Sequence, residues 1–546
     1  MKVVFFSFGI VFCLFISLSA FAQSDVSQLL RTRLESDQPG QKLEVRGIPL
    51  INSNEIYSFY SSRNFKELWS KNGVLTELAY ELRYEIRNSR FDGLRPGDYN
   101  LTAIEAFFQV FESNKVSGED NSTGDLGDVD LLLTDSFFHL ASDLERGKVD
   151  PSELIDGWEI TPKPRKAEYA FLLSKSENIG LLRPQLESLY PDLLMYQNGK
   201  EVIRSLEEKL GNDSLDWAPI KVKKVIKVGQ SDKTIPTIRE RLFYWDYLDH
   251  YEPNEENFFD SVLFRGLKLF QEKNGMEADG IIGKMTTSAL NHSPQELIDK
   301  ASVNLERLRW LPDTAKNEEM ILVNIANFQL DYLDKMDTLF SAKVIVGKKY
   351  FQSPIFTSEM SYIVFSPYWN IPMSIARNEI IPKVRKDPAY LASKNMEVVN
   401  NSGKVIDPSS IDWSARAFPY MIRQKPGDNN SLGRVKFIFP NKHSVYIHDT
   451  PAKYLFAKGD RTLSHGCIRV QNPQDFAEIL LRSDLSWTPE KIYDAMHQSD
   501  EKIVFLKKKI PVVLLYLTFW ADSNGQAHFR QDVYDRDRVV LEALRD

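Results

Sequence analysis

The run Val435-Lys436-Phe437-Ile438-Phe439-Pro440-Asn441-Lys442-His443-Ser444-Val445-Tyr446-Ile447-His448 holds two short β-branched and aromatic stretches, 435–439 and 444–447, parted by Pro, Asn and Lys. That texture predicts two strands. Upstream the same texture recurs at 320–325, 330–333, 342–346 and 361–364, and downstream near 512–520. Residues 372–433 interrupt the series with mixed helical and loop character, 375–384 reading as helix, and a long insertion between strands commonly makes a lid or a binding surface. The expectation is a mainly β domain over 300–546 with a cap inserted over about 373–432.

Further from that run the pattern turns helical. Residues 56–69, 75–88 and 131–146 repeat apolar positions every three or four residues, parted by turn signals such as Asp92-Gly93 and Arg95-Pro96-Gly97. Residues 116–128, rich in Gly, Ser, Asn and acids, read as a solvated loop. The expectation is a helical scaffold over 23–230. A smaller helical unit follows at 234–293, where Phe270-Gln271, Gly275, Asp279-Gly280, Ile282-Gly283, Thr287 and Leu290-Asn291 resemble a three-helix peptidoglycan-binding module. The fold class is therefore multidomain α+β.

Composition narrows the function. In 546 residues, 42% are apolar and 12% aromatic, enough to bury a core and to exclude general disorder. A formal charge of −8 excludes a sequence-independent grip on nucleic acid, which needs a cationic surface. Residues 1–22 read as an export signal: Lys2, an apolar run from Val3 to Leu18, and Ala20-Phe21-Ala22 before the cleavage point. Bulky Ile10 and Phe12 before Cys13 argue against a lipid-anchored cysteine. No later stretch is long and apolar enough to span a bilayer. The chain is expected to be exported, and its resemblance at 234–293 to a peptidoglycan-binding module implies a periplasmic location in association with the cell wall.

Of two cysteines, Cys13 leaves with the signal, so Cys467 has no partner for an internal disulfide. Its surroundings point to reactivity. His443, His448 and His465 lie just upstream, and Ser464-His465-Gly466-Cys467-Ile468-Arg469 follows His448 after a loop. A thiol is nucleophilic as thiolate, and an imidazole within reach can take its proton to form an ion pair. His448, at a strand end, is the candidate base. His465 would point elsewhere on an extended segment and is read as fixing the loop in support of catalysis. Gly466, lacking a side chain, allows close approach of a substrate carbonyl and of backbone N–H donors. His443 reads as a surface residue.

These residues resemble the signature of the L,D-transpeptidase catalytic domain, and flanking segments such as Leu308-Arg309-Trp310, Pro367-Tyr368-Trp369-Asn370-Ile371-Pro372 and Leu432-Gly433-Arg434 are similar to its large periplasmic subfamily. The resemblance implies that Cys467 forms a thioester with a tetrapeptide stem, releases D-alanine and passes the stem to an amine of a second stem, leaving a 3→3 crosslink. It implies carbapenems as inhibitors and peptidoglycan as partner. Gly466, Cys467 and Tyr446 become oxyanion donors, Arg469 a ligand for a stem carboxylate, or else an ion-pair partner of Asp475, and Ser464 and Trp369 further substrate contacts. No cofactor is implied. A zinc site of Cys467, His465 and His448 lacks a fourth ligand. Hydrolysis of the same thioester, as an L,D-carboxypeptidase, and a non-catalytic wall-binding scaffold are the competing readings.

Overall fold

The computed structural model describes residues 25–36, 43–154, 158–160, 168–250, 257–311, 319–335, 337–415 and 417–546; the expected export signal lies outside them. By internal contacts the chain forms two compact units.

The first unit takes residues up to 87, 96–141 and 167–187. It is built on the helices Ser53–Ser62, Leu101–Ser117 and Tyr169–Ile179 with most of Glu77–Asn88 and Thr123–Arg146. Its centre is polar: Asp130 accepts from the Tyr60 hydroxyl at 2.5 Å and from the Leu68 and Trp69 amides at 3.0 and 2.9 Å. Burial pushes the Asp130 carboxyl up to about 6 against these bonds. The expected solvated loop at 116–128 is mostly helix. Gly118, in the left-handed region, ends one helix, and the Ser122 hydroxyl accepts from the Asp125 amide at 3.0 Å to start the next. Of the acids that suggested a loop, Asp125 and Asp128 sit in a helix's first turns, where they complement the backbone dipole, Glu119 and Asp120 lie between the helices, and Leu126 and Val129 are buried.

The second unit takes 88–95, 142–166 and 188–546. Within it, Ile235–Tyr244, Ser261–Lys273 and Lys284–Leu290 are helices sharing a core of Ile238, Leu242, Leu267, Phe270 and Leu290. The Gln271 side chain staples the following turn, donating to Asp279 Oδ1 at 3.0 Å and accepting from the Gly280 amide at 2.8 Å. That accounts for the Phe-Gln and Asp-Gly pairs of the sequence.

A nine-stranded sheet dominates the rest. Its strands are β1 Glu319–Asn324, β2 Gln329–Asp334, β3 Asp337–Gly347, β4 Phe356–Phe365, β5 Val435–Ile438, β6 Ile447–His448, β7 Thr462–Ser464, β8 Ile468–Val470 and β9 Lys502–Leu515. They lie in the order β7-β3-β8-β6-β5-β4-β9-β1-β2, and β3 also pairs with β2, so the ladder closes on itself. The expected strand at 444–447 is shorter and later, because Ser444 has a positive φ and the ladder begins only at Ile447. Val435, Phe437, Ile447, Ile468 and Val470 fill the interior core.

The cap between β4 and β5 has its own four-stranded sheet, containing Trp369–Asn370, Met396–Val399, Val405–Ile406 and Met421–Gln424. A core of Ile371, Ile380, Val384, Leu391, Val398 and Ile422 supports it. The helical reading of 375–384 corresponds to a π-helical turn, Ala376–Ile380, running into the α-helix Ile381–Lys386.

Pro294–Arg309 is the helix just before the sheet, started by a Ser293–Glu296 capping box. Its last turn is buried although charged: Arg309 donates to Glu306 Oε2 at 2.5 Å, to the Asp92 carbonyl at 2.8 Å and to the Tyr196 hydroxyl at 2.9 Å. Removing one partner of such a pair leaves the other charged and unsolvated, which costs about 3–5 kcal/mol. Arg309→Met should therefore lower the unfolding free energy by about that amount in urea titrations followed by fluorescence; a loss below about 1 kcal/mol would show that water compensates Glu306.

Candidate active site

The site arises from one piece of strand pairing. β6 and β8 are parallel, with Ile447 opposite Ile468 and His448 opposite Arg469, and the Ile468 amide donates to the Tyr446 carbonyl at 3.1 Å. Parallel neighbours need a crossover of a dozen residues or more, which accounts for the spacing between His448 and the Cys467 segment. Side chains alternate along a strand. With Ile447, Ile468 and Val470 turned into the core, Tyr446, His448, Cys467 and Arg469 share the other face.

His448 is buried, and its Nδ1 lies 2.5 Å from the Asp449 carbonyl. A carbonyl only accepts, so Nδ1 carries the hydrogen and Nε2 keeps the lone pair that a base requires. The Leu432 carbonyl also faces the ring. Asp449 holds this arrangement together: its carboxylate accepts from the Thr450 amide at 2.6 Å, from the Arg434 amide at 2.8 Å and from Lys453. Gly433 has a φ of +62°, and a Cβ there would fall 2.3 Å from the Asp449 carboxylate. Only glycine lets the chain leaving the cap come this close.

Cys467 is half-buried and free. Its turn is closed by Ser464, whose hydroxyl donates to the Cys467 carbonyl at 2.6 Å and accepts from the Gly466 amide at 3.0 Å. A second bond reaches the turn from behind: the Ser353 hydroxyl donates to the Gly466 carbonyl at 2.8 Å and accepts from the Gly347 amide at 3.0 Å. The Tyr534 hydroxyl donates to the Gly347 carbonyl at 2.6 Å, tying in the C-terminal segment.

Burial pushes the Cys467 thiol up, while hydrogen bonds from Tyr446 and the charge of Arg469 pull it down less strongly. The Tyr446 hydroxyl meets the sulfur, and its ring stands edge-on to His448 at 5.6 Å. Burial, and then the Arg469 charge, push His448 down to about 3. Both shifts favour the uncharged forms, a thiol and a neutral imidazole, over the ion pair expected from the sequence. Arg469 has no carboxylate partner among the described residues, and its Nε is buried without a hydrogen bond. The expected alternative pairing with Asp475 is not made.

One expectation is corrected. Gly466 N–H is not available to an oxyanion, because it is given to Ser464; the Cys467 N–H remains, with no partner among the described residues. Trp369 packs on the cap's own core, since its strand pairs with Met421–Gln424 there. His465 turns away from the thiol: Nε2 lies 2.9 Å from Glu379 Oε1 on the cap's π-helical turn, and its ring rests on Phe351 at 5.1 Å. It thus joins the loop to the cap. His443 faces Glu159 at 2.9 Å, outside this cluster. Sequence reading passed over Asp449, Ser353, Tyr534 and Glu379. Asp449 adjoins His448 and could have been found; the others carry no local signal.

Residues 318–494 match the L,D-transpeptidase catalytic domain family (YkuD), and residues 54–202 match a scaffold domain family. A curated Haemophilus influenzae protein named as an L,D-transpeptidase is 35% identical over 246 residues, covering 45% of this chain and 49% of that protein. The chain thus spans about half the length of that relative. An L,D-transpeptidase from Xylanimonas cellulosilytica aligns over 54% of this chain and 100% of its own at 10% identity, with a TM-score of 0.17. One from Stackebrandtia nassauensis aligns over 55% and 97% at 13% identity, with a TM-score of 0.20. Scores this low carry no argument, and the similarity rests on the sequence matches.

The charge state of the pair is testable by iodoacetamide. With His448 neutral above about pH 4 and the thiol pushed up, thiolate should accumulate only as pH rises. Cys467 alkylation should climb about tenfold per pH unit from 6 to 8.5 without a step near 6.5. A plateau across neutral pH would mean a pre-formed ion pair.

Proposed function

We propose that this chain, which carries an L,D-transpeptidase catalytic domain and a scaffold domain, is an exported periplasmic enzyme that forms 3→3 crosslinks between peptidoglycan stems through a thioester on Cys467. Enzymes of this family act on peptidoglycan. The observation that carries the reading is the shared face of Tyr446, His448, Cys467 and Arg469, set by the parallel register.

The chemistry follows from that face. The Cys467 sulfur attacks the carbonyl that follows the L-centre of the donor stem's diamino acid, and His448 Nε2 takes the thiol proton as the S–C bond forms. A neutral imidazole is the form that can do so. The Cys467 N–H, with the Tyr446 hydroxyl once the sulfur no longer needs it, holds the oxyanion. Collapse breaks the C–N bond to D-alanine, whose nitrogen receives the proton from His448. A side-chain amine of a second stem then attacks the thioester, yields its proton to His448 and expels the sulfur, which takes the proton back. Arg469, unpaired at rest, binds a stem carboxylate, its fork suiting two oxygens. Ser464 positions the turn, and His465 ties it to the cap. The three-helix segment at 234–293 holds wall material near the site. Carbapenems acylate the same sulfur.

Muropeptide analysis separates transfer from hydrolysis. Wild-type protein incubated with tetrapeptide muropeptides should give crosslinked dimers; tripeptides alone would make it an L,D-carboxypeptidase. Cys467→Ala should abolish both products and any carbapenem adduct seen by intact mass. His448→Ala should slow acylation by about 10²–10⁴-fold. The absence of an adduct on wild type would favour a non-catalytic scaffold.

A further inference from the structure

A cavity of about 310 Å³ lies away from the thiol, between the three-helix segment and the closed sheet. That is near the lower end for small-ligand sites, about 300–1,000 Å³. Met276 and Met285 line it from the helical side, and Phe328 and Phe529 from the opposite side. Its charged lining is unbalanced: Lys284, Lys300 and Arg530 face a single acid, Asp460.

Arg530 is the hinge pin of this cavity. Its Nε donates to Asn327 Oδ1 at 2.6 Å and its Nη1 to the Lys273 carbonyl at 3.1 Å, so one guanidinium joins both walls. It lies so close to Gly275 that a Cβ there, already strained by a φ of +68°, would sit 2.3 Å from Nε. Lys300 Nζ donates to the Arg530 carbonyl at 2.9 Å, leaving two of its three N–H groups for other acceptors. Burial pushes the Lys300 ammonium down while Asp537, Asp532 and Glu296 pull it back up from a distance, and among the described residues none of the three cavity cations is ion-paired. Two partly buried cations and an exposed one at the rim, none with a carboxylate in contact and all set beside methionines and phenylalanines, suit an anion on a short apolar stem.

We infer that this cavity binds a free carboxylate of a peptidoglycan stem peptide, at a site separate from the catalytic cleft. The occupant's identity rests on the proposed function: a wall enzyme meets stem carboxylates at high local concentration. A stem held here bridges the three-helix segment and the catalytic domain, so wall binding stiffens their junction.

The two methionines give a direct readout. The full-length Cys467→Ala chain, labelled with ¹³C-methyl methionine, is titrated with the tripeptide L-Ala-γ-D-Glu-L-Lys. The Met276 and Met285 resonances should shift saturably. Lys284→Glu, on the exposed rim, should weaken that titration at least tenfold, whereas Lys284→Arg should preserve it. The same peptide with its carboxylates amidated should leave both signals in place. Shifts confined to other methionines, such as Met373 on the cap, would place binding in the catalytic cleft and overturn the inference. So would equal response to the amidated peptide, or full competition by inorganic phosphate at equal concentration, which would mark a general anion site. Lys284→Glu should keep wild-type carbapenem acylation when Cys467 is present. Failure of acylation in the unmutated chain alongside a normal methionine response would sink the enzymatic reading and not the cavity.

Discussion

The parallel alignment of Ile447–His448 with Ile468–Val470 is the constraint on which the site depends. Strand alternation makes register an all-or-none property: a slip of one residue would send His448 and Cys467 into the core and bring Ile447 and Ile468 out. Burial of Ile447, Ile468 and Val470 within one continuous core makes that slip costly. Each buried aliphatic is worth about 1.5–3 kcal/mol. The apolar residues between the chemical ones therefore do as much for function as the chemical ones themselves. The parallel sense also obliges the chain to leave His448, cross over and return, and that detour supplies the loop on which Cys467 is displayed.

The same burial that fixes the register sets the charge state. His448 is enclosed with an unpaired guanidinium on the same face, and both effects oppose an imidazolium. Cys467 is more open but still loses hydration as a thiolate. Arg469 acts on the two in opposite senses, favouring the sulfur anion and opposing the ring cation. A carboxylate arriving at Arg469 would cancel both effects, making His448 easier to protonate and the Cys467 thiol harder to ionise.

Local chemistry was legible in the sequence, and long-range chemistry was not. His448, Ser464 and Cys467 announce themselves because each lies within a short motif whose neighbours have the right types. The strands were legible from their β-branched texture, with boundaries off by several residues where a positive φ at Ser444 delays the ladder. Glycine 466 was read correctly as special but for an incomplete reason. Its φ of +114° shapes the turn, while its amide is spent on Ser464, a bond that depends on a hydroxyl rotamer. Trp369 packs half-buried against the cap's core, a placement its motif of aromatics and prolines did not specify, since such a motif looks alike whether it lines a cleft or a core. Ser353, Tyr534 and Glu379 reach the site from 113, 68 and 86 positions away along the chain, counted to Gly466, Gly466 and His465. The closed sheet and the cap inserted into it bring them near.

The cap is tied to the catalytic loop at two points of different strength. At its exit, Gly433 and Arg434 close onto the buried carboxylate of Asp449, and the Leu432 carbonyl joins in orienting His448. Moving that end would disturb the base itself, so it behaves as a fixed root. At the π-helical turn, Glu379 meets His465 in a partly exposed bond, and an ion pair of that kind is worth no more than about 1 kcal/mol. A π-helical turn is a less regular element than the α-helix it leads into, which suits a contact made and broken without unfolding its neighbours. A firm root beside His448 and a weak tie beside Cys467 would let the cap shift, under the proposed function, without moving His448.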